Sequence, residues 1–265
     1  MGLNSLGDIY SGGLVFACIF GAAALAMWLH RMLPEHHLSS ETKDTVKITM
    51  ALVATMTAMI LGLLVSSARG TYEAEKQLLN SMSAKIVFLD RALVLYGAEG
   101  APARKAVYDT TELMRHRYWP ETDKNPAQLV PETRSADEVH REIHALAPQT
   151  DEQRELKEQA VKLSYEIGQL RWLILQQSGS SVSTPLLVFV ICWLSFLFFS
   201  FGLFAPSNGT VLAAMFVSTL SVASAVFLIL ELDQPFDGLV KISSDPLVNV
   251  LTMMGSPATP GAGMP

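Results

Sequence analysis

The chain has 265 residues; 50% are hydrophobic, 17% are charged, and the mean hydropathy is +0.31. The charged residues are concentrated in one central block, a distribution typical of a membrane protein that carries a soluble module. The net charge of -6 and the lack of a basic run exclude an obvious nucleic-acid binder. Cys18 and Cys192 both lie in apolar segments, which favours packing roles over a disulfide or a metal pair.

The first apolar segment, Leu14 to Leu33, follows a short polar tail without Lys or Arg. A signal peptide would start with basic residues and end in small ones, and this segment does neither, so we predict an uncleaved membrane helix. Gly13, Ala17 and Gly21 recur at four-residue spacing, which would let another helix approach closely. The alternative is that Gly and Ala are simply common in membrane helices.

A polar connection from Pro34 to Asp44 contains the adjacent pair His36 and His37. Adjacent residues do not share a helix face, and no Cys or carboxylate stands at ligand spacing, so a solvated loop is favoured over a metal site.

The second predicted span runs from Val46 to Ser67. Small and hydroxyl-bearing residues recur along it at four-residue spacing and would form either a helix-packing face or a water-lined face: Ala54, Ala58, Gly62 and Ser66.

Helical periodicity continues past Arg69, because apolar residues fall at i, i+4, i+7, i+11 and i+14: Met82, Ile86, Leu89, Leu93 and Tyr96. If Gly70 only bends the helix, the second span and this amphipathic stretch form one element of roughly 50 residues, about 75 Å long. Such an element would extend well beyond the membrane.

The rest of the module is predicted to be a break at Gly97 to Pro102, a helix from Ala103 to Trp119 and a loop from Pro120 to Ser135. The chain then returns through a short coiled-coil seam of Leu156, Ala160, Leu163, Ile167, Leu170 and Ile174. We expect this seam to pack on the outgoing helix or on a neighbouring subunit.

The third span, Leu186 to Ala205, and the fourth, Thr210 to Leu230, are uncharged. The fourth carries another small and hydroxylic stripe, which is a candidate pore face or helix contact: Ala214, Ser218, Ser221 and Ala225. It ends abruptly, since Glu231 and Asp233 arrive together and Pro235 cannot continue a helix.

These features predict an all-α membrane protein with four transmembrane helices and an extended helical module inserted between spans 2 and 3. The domain bounds are 1–67 for the tail and first two spans, 68–184 for the module, 185–238 for the last two spans and 239–265 for a C-terminal tail. An even number of spans places both tails and the module on one side. The charges around the first connection favour the module outside, although Arg69 and Arg171 flank the spans on the module side.

No phosphate-binding glycine loop, zincin motif or nucleophile motif is present, which argues against an enzyme and against any cofactor. His140 and His144 share a helix face but lack a third ligand, so surface histidines are favoured over zinc.

The segment Leu232-Asp233-Gln234-Pro235-Phe236-Asp237-Gly238 after four spans resembles the Leu-Asp-x-Pro-Phe-x-Gly signature of the bacterial bestrophin-like family of unknown function. Trp119-Pro120 and Arg171-Trp172 agree with the order of parts in that family. The resemblance implies a multi-pass protein of the bacterial inner membrane, oligomeric and distantly similar to bestrophin anion channels. No acidic calcium clasp or aromatic neck of true bestrophins is recognisable, so calcium gating is not implied.

Two functions remain open from the sequence. The first is a homo-oligomeric ion channel whose partners are the lipid bilayer and small ions. The second is a membrane-anchored sensor or scaffold whose helical module binds a protein.

A last hypothesis concerns the carboxylates that end the fourth span. An unpaired carboxylate at a helix C-terminus near the membrane is costly. We therefore expect Arg69 or Arg171 to pair with Glu231 or Asp233, with the alternative that both carboxylates reach interfacial water. Pro235 and Gly238 would turn the chain so that Phe236 packs back against the bundle.

Overall fold

The structure is a computed structural model that describes residues 3–30, 32, 40–120, 133–177, 184–206, 208–236 and 239–255. These residues contain no strand and form eight α-helices: α1 Leu3–His30, α2 Ser40–Tyr96, α3 Ala101–Tyr118, α4 Thr133–Ala145, α5 Asp151–Gln177, α6 Thr184–Phe204, α7 Gly209–Leu232 and α8 Asp245–Gly255. Four of them, α1, α2, α6 and α7, are long and apolar enough to cross a membrane. The predicted all-α class with four spans is confirmed.

The prediction of one continuous outgoing element is also confirmed. Helix α2 has 57 residues, or roughly 85 Å at 1.5 Å per residue. It ends where Gly97 adopts a φ of 109°, which a side chain would disfavour. A short 3-10 turn, Ala98–Gly100, then leads into α3.

The chain divides into two compact units, each described separately below. The membrane unit comprises Met1–Tyr72, Ser180–Gln234 and Gly238–Val240, and the helical module comprises Glu73–Gly179, Pro235–Asp237 and Lys241–Pro265.

In the membrane unit, α1 packs against both α6 and α7. The core contains large aliphatic side chains from every span, among them Ile19, Leu64, Val190 and Ile229. These helices bury little of their surface within one chain. The most apolar stretch of α2 is 17% buried and that of α6 is 33% buried, so most of the apolar surface remains for lipid or for other copies.

In the helical module, the predicted amphipathic face of α2 is confirmed, because Met82, Ile86, Leu89, Leu93 and Tyr96 are all buried. Helix α3 packs against α4 and α8, and α4 packs against α5. The predicted seam on α5 is only partly covered within the chain. Ala160 and Ile174 are buried, whereas Leu156, Leu163, Ile167 and Leu170 are half-buried.

Several predicted bounds were wrong. The first span was predicted from Leu14 to Leu33, whereas the stretch that is long and apolar enough to cross a membrane runs from Tyr10 to His30. Its helix, α1, already begins at Leu3. The predicted loop to Ser135 overlaps α4, which begins at Thr133, while residues 121–132 lie outside the described part of the chain. The connection with His36 and His37 also lies outside it.

The predicted C-terminal tail contains a helix that was missed. Helix α8 buries Leu247, Val250 and Met254, which fall on one face. Arg104 holds the end of this helix: its guanidinium donates to the Met254 carbonyl at 2.6 Å and to the Asp90 carboxylate at 2.6 Å. The arginine therefore satisfies a terminal helix carbonyl that would otherwise lack a donor.

Candidate functional site

The fourth span ends as the sequence predicts, with a single closing turn. The Asp233 N–H donates to the Ile229 carbonyl at 3.2 Å, and the Gln234 N–H donates to the Glu231 carbonyl at 3.3 Å. Pro235 follows, has no N–H to donate and is buried. Asp237 and Gly238 lie outside the described residues.

Glu231 is almost fully buried, with 1% of its surface exposed. Its Oε2 atom accepts hydrogen bonds from the backbone N–H groups of Leu239 at 2.6 Å and Val240 at 3.3 Å. Among the described residues, Oε1 has no hydrogen-bond partner. The carboxylate therefore fixes the chain that follows the motif, much as a capping residue fixes a helix end.

The predicted ion pair is wrong for Glu231, because backbone amides replace the expected guanidinium. Arg171 instead hydrogen-bonds the Tyr118 hydroxyl. Burial raises the pKa of Tyr118 above 10.0, and the nearby Arg171 charge opposes that rise. Arg69 is exposed. Pairing of Asp233 with an arginine stays a prediction.

Phe236 packs in an unexpected place. It is buried in an aromatic cluster of the helical module, with its ring centroid 5.5 Å from that of Tyr118 and 5.6 Å from that of Trp119, both edge to face. The prediction that Phe236 returns to the membrane bundle was therefore wrong.

Two further hydrogen bonds hold the chain around this cluster. The Trp119 Nε1–H donates to the Ile242 carbonyl at 2.8 Å. The Ile242 N–H in turn donates to the Pro235 carbonyl at 2.8 Å. The Trp119-Pro120 pair noted in the sequence thus marks the position where the segment after the motif is bound.

The small-residue stripes lie on faces that one chain leaves largely uncovered. A side chain added at Gly13, Gly21 or Gly62 would meet no atom within 4 Å. The stripe residues of α2 and α7 are exposed except for two half-buried alanines: exposed are Ala58, Gly62, Ser66, Ala214, Ser218 and Ser221, and half-buried are Ala54 and Ala225. The stripes are therefore not the close contacts of a single four-helix bundle.

The close contact within the bundle occurs elsewhere. A Cβ atom at Gly202 of α6 would lie 2.4 Å from the Ala23 carbonyl oxygen of α1. Nearby, the His30 ring nitrogen Nδ1 donates to the Leu203 carbonyl at 2.6 Å and satisfies the end of α6. Neither the Gly202 contact nor the His30 hydrogen bond was predicted from the sequence. A glycine within the phenylalanine-rich third span could have indicated a close helix contact.

No metal-binding group of three His, Cys, Asp or Glu side chains occurs in the described part of the chain. The rings of His140 and His144 do meet on one face of α4, with centroids 4.3 Å apart. His140 also contacts Tyr165, at 4.8 Å between centroids.

Comparison with known proteins agrees with this architecture. The family model of the bestrophin-like domain matches residues 17–247. No curated protein matches the chain. Two crystal structures of point variants of a bacterial bestrophin homologue from Klebsiella pneumoniae match with a TM-score of 0.62 each. They are 14% and 12% identical to this chain, and each match covers 91% of this chain and 95% of the other.

At this identity the structural matches establish a shared fold. The family model supplies the assignment, because it spans most of the sequence, including part of α1 and the whole of α2, α6 and α7. The chain belongs to the bestrophin-like family of membrane proteins.

Proposed function

We propose that the protein is a homo-oligomeric ion channel of the bacterial inner membrane, in which the uncovered face of α2 lines the ion path. The observation that carries this proposal is the large uncovered apolar surface of α2. Its exposed side chains include Ile48, Leu52, Met59 and Leu63, each more than 60% exposed. A helix with so little cover in one chain needs lipid or other copies around it.

The chemistry of that face suits a narrow path. No charged residue occurs between Ile48 and Ala68. Gly62 and Ser66 are small and exposed. The exposed Thr55 hydroxyl donates its proton to the Ala51 carbonyl at 2.7 Å, so its oxygen can act only as an acceptor towards other groups. Small side chains and oxygen acceptors at a constriction lower the cost of partly dehydrating an ion.

The stripe on α7 is the competing pore face. The hydroxyl of Ser221, one of its members, is also bonded within its own helix, since it donates to the Val217 carbonyl at 2.9 Å. We assign α7 to contact with lipid or another subunit, because more of α7 than of α2 is buried in the protomer.

Ion flux into liposomes tests the proposal. The purified wild type should carry flux, Gly62→Trp should abolish it, and Gly21→Trp should retain it, because both glycines are exposed and only Gly62 lies on the proposed path. Mass measurement in mild detergent should give a multiple of 28.9 kDa for all three proteins. Absence of flux across several cations and anions would favour the scaffold alternative, and a monomer would exclude a shared pore.

Orientation is a separate proposal, with the helical module outside, as the charges around the first connection favour. A cysteine replacing Ser135 should then react with an impermeant thiol reagent in intact cells. Protection at that position, with labelling of a cysteine that replaces Ser39, would reverse the assignment.

A further inference from the structure

A cavity of about 70 Å³ lies inside the helical module, where α2, α3, α4 and α5 meet. Most of its wall is apolar and comes from all four helices: Ile86, Leu89, Val107, Met114, Val139 and Ile167. Neither the family nor the channel proposal assigns a role to this cavity.

The Arg171 guanidinium of α5 gives the cavity wall a positive charge. His140 of α4 also contributes to the wall, and no Asp or Glu is among the described residues that line it. A guanidinium has five N–H donors, so Arg171 can interact with the Tyr118 hydroxyl and still donate to an anion.

The hydroxyl groups in the wall are already committed as donors. Thr111 donates to the Val107 carbonyl at 2.7 Å, and Ser164 donates to the Val161 carbonyl at 3.0 Å. The His140 Nδ1 lies 3.4 Å from the Ser164 oxygen. Arg171 is consequently the principal donor for a bound anion.

We propose that this cavity binds a small monocarboxylate, with the carboxylate on Arg171 and the alkyl group against the apolar wall. A cation would face a positive wall without a carboxylate ligand. An inorganic anion would leave the apolar surface unused. An apolar cavity of about 150 Å³ holds benzene. A cavity of about 70 Å³ is smaller, so it suits the shortest carboxylic acids, acetate and propionate, and not a longer chain.

A substitution at Gly168 can fill the cavity while leaving the Arg171 guanidinium unchanged. It lines the cavity from α5, and a Cβ at this position would meet no atom within 4 Å. A leucine there would occupy the ligand space, whereas an alanine would mainly improve helix propensity. The pair Gly168→Leu and Gly168→Ala therefore separates occupancy from folding.

Isothermal titration of the full-length protein in detergent with sodium acetate, propionate and hexanoate tests the proposal, with sodium chloride as the ionic control. We expect saturable binding of acetate, roughly fourfold tighter binding of propionate for the added methylene, and weaker binding of hexanoate. Chloride should give no saturable heat.

Arg171→Gln should weaken propionate binding by roughly 10- to 100-fold. Arg154→Gln removes an exposed guanidinium from the same helix and should leave binding unchanged. Gly168→Leu should abolish binding and Gly168→Ala should retain it, which decides the matter even if Arg171→Gln fails to fold. No binding by the wild type, affinity that keeps rising to hexanoate, or full binding by Gly168→Leu would each overturn the proposal.

Discussion

Replacing Gly202 with alanine should loosen the contact between α1 and α6. The new Cβ atom would lie 2.4 Å from the Ala23 carbonyl oxygen and 3.0 Å from the Ala26 side chain, whereas ordinary contacts begin at 3.4 Å. The obstacle is backbone, which cannot rotate away as a flexible side chain would. The two helices must therefore separate locally by about 1 Å, and overpacking of this kind costs about 1–3 kcal/mol.

Gly62→Ala is the matched control, because it makes the same change in a membrane helix where the new atom meets nothing within 4 Å. Equilibrium unfolding in mixed detergent, followed by tryptophan fluorescence, would measure both variants. We expect Gly202→Ala to be less stable than Gly62→Ala by about 1–3 kcal/mol. Equal stability of the two variants would refute the close approach of α1 and α6 at this glycine.

Three further predictions concern the motif and the module. Phe236→Ala should lower the free energy of unfolding by about 3–5 kcal/mol, since it empties a buried aromatic site, and denaturant titration would measure the loss. Glu231→Ala should lower the free energy of unfolding by at least about 1.5 kcal/mol, and Glu231→Gln should lower it less, because only the glutamine keeps an acceptor oxygen for the two amides. The same denaturant titration compares the two variants. Equal losses would contradict the role of Glu231 as an acceptor for these amides. The hydrogen bond from Lys85 lowers the pKa of Glu166 below 4.5, so this carboxylate should stabilise the fold above pH 4.5 and lose that contribution as the pH falls through its folded-state pKa. The melting temperatures of the wild type and Glu166→Gln should therefore converge in acid. A difference between the two melting temperatures that stays constant with pH would contradict this role of Glu166.

The membrane spans and the core face of α2 could be predicted, because each produces a pattern in the sequence that extends along a whole helix. Uncharged runs of 20 residues identify the spans, and the spacing from Met82 to Tyr96 identifies the core face of α2, because both signals repeat along one helix. Helix α8 was missed because its 11 residues lie in a tail rich in Pro, Gly and Ser.

The sequence predicts where the candidate site lies in the chain, but it does not predict which groups Glu231 and Phe236 contact. The sequence locates Glu231 and Phe236 at the end of the fourth span. The partners of Glu231 are backbone amides, which every residue but proline carries and which leave no trace in the sequence. The partners of Phe236 lie more than 100 positions away on α3 and beside it. Such contacts depend on the packing of whole helices.

The assignment of the ion path to α2 is tested most directly by currents through the purified protein in planar bilayers. In a background with Cys18→Ala and Cys192→Ala, the variant Gly62→Cys should conduct, and a water-soluble thiol reagent should reduce its current, because the proposed path brings water and ions to that position. The cysteine-free background should conduct and should not respond to the reagent. Currents that persist unchanged after complete modification of Gly62→Cys, or the absence of current from every variant, would contradict a channel lined by α2.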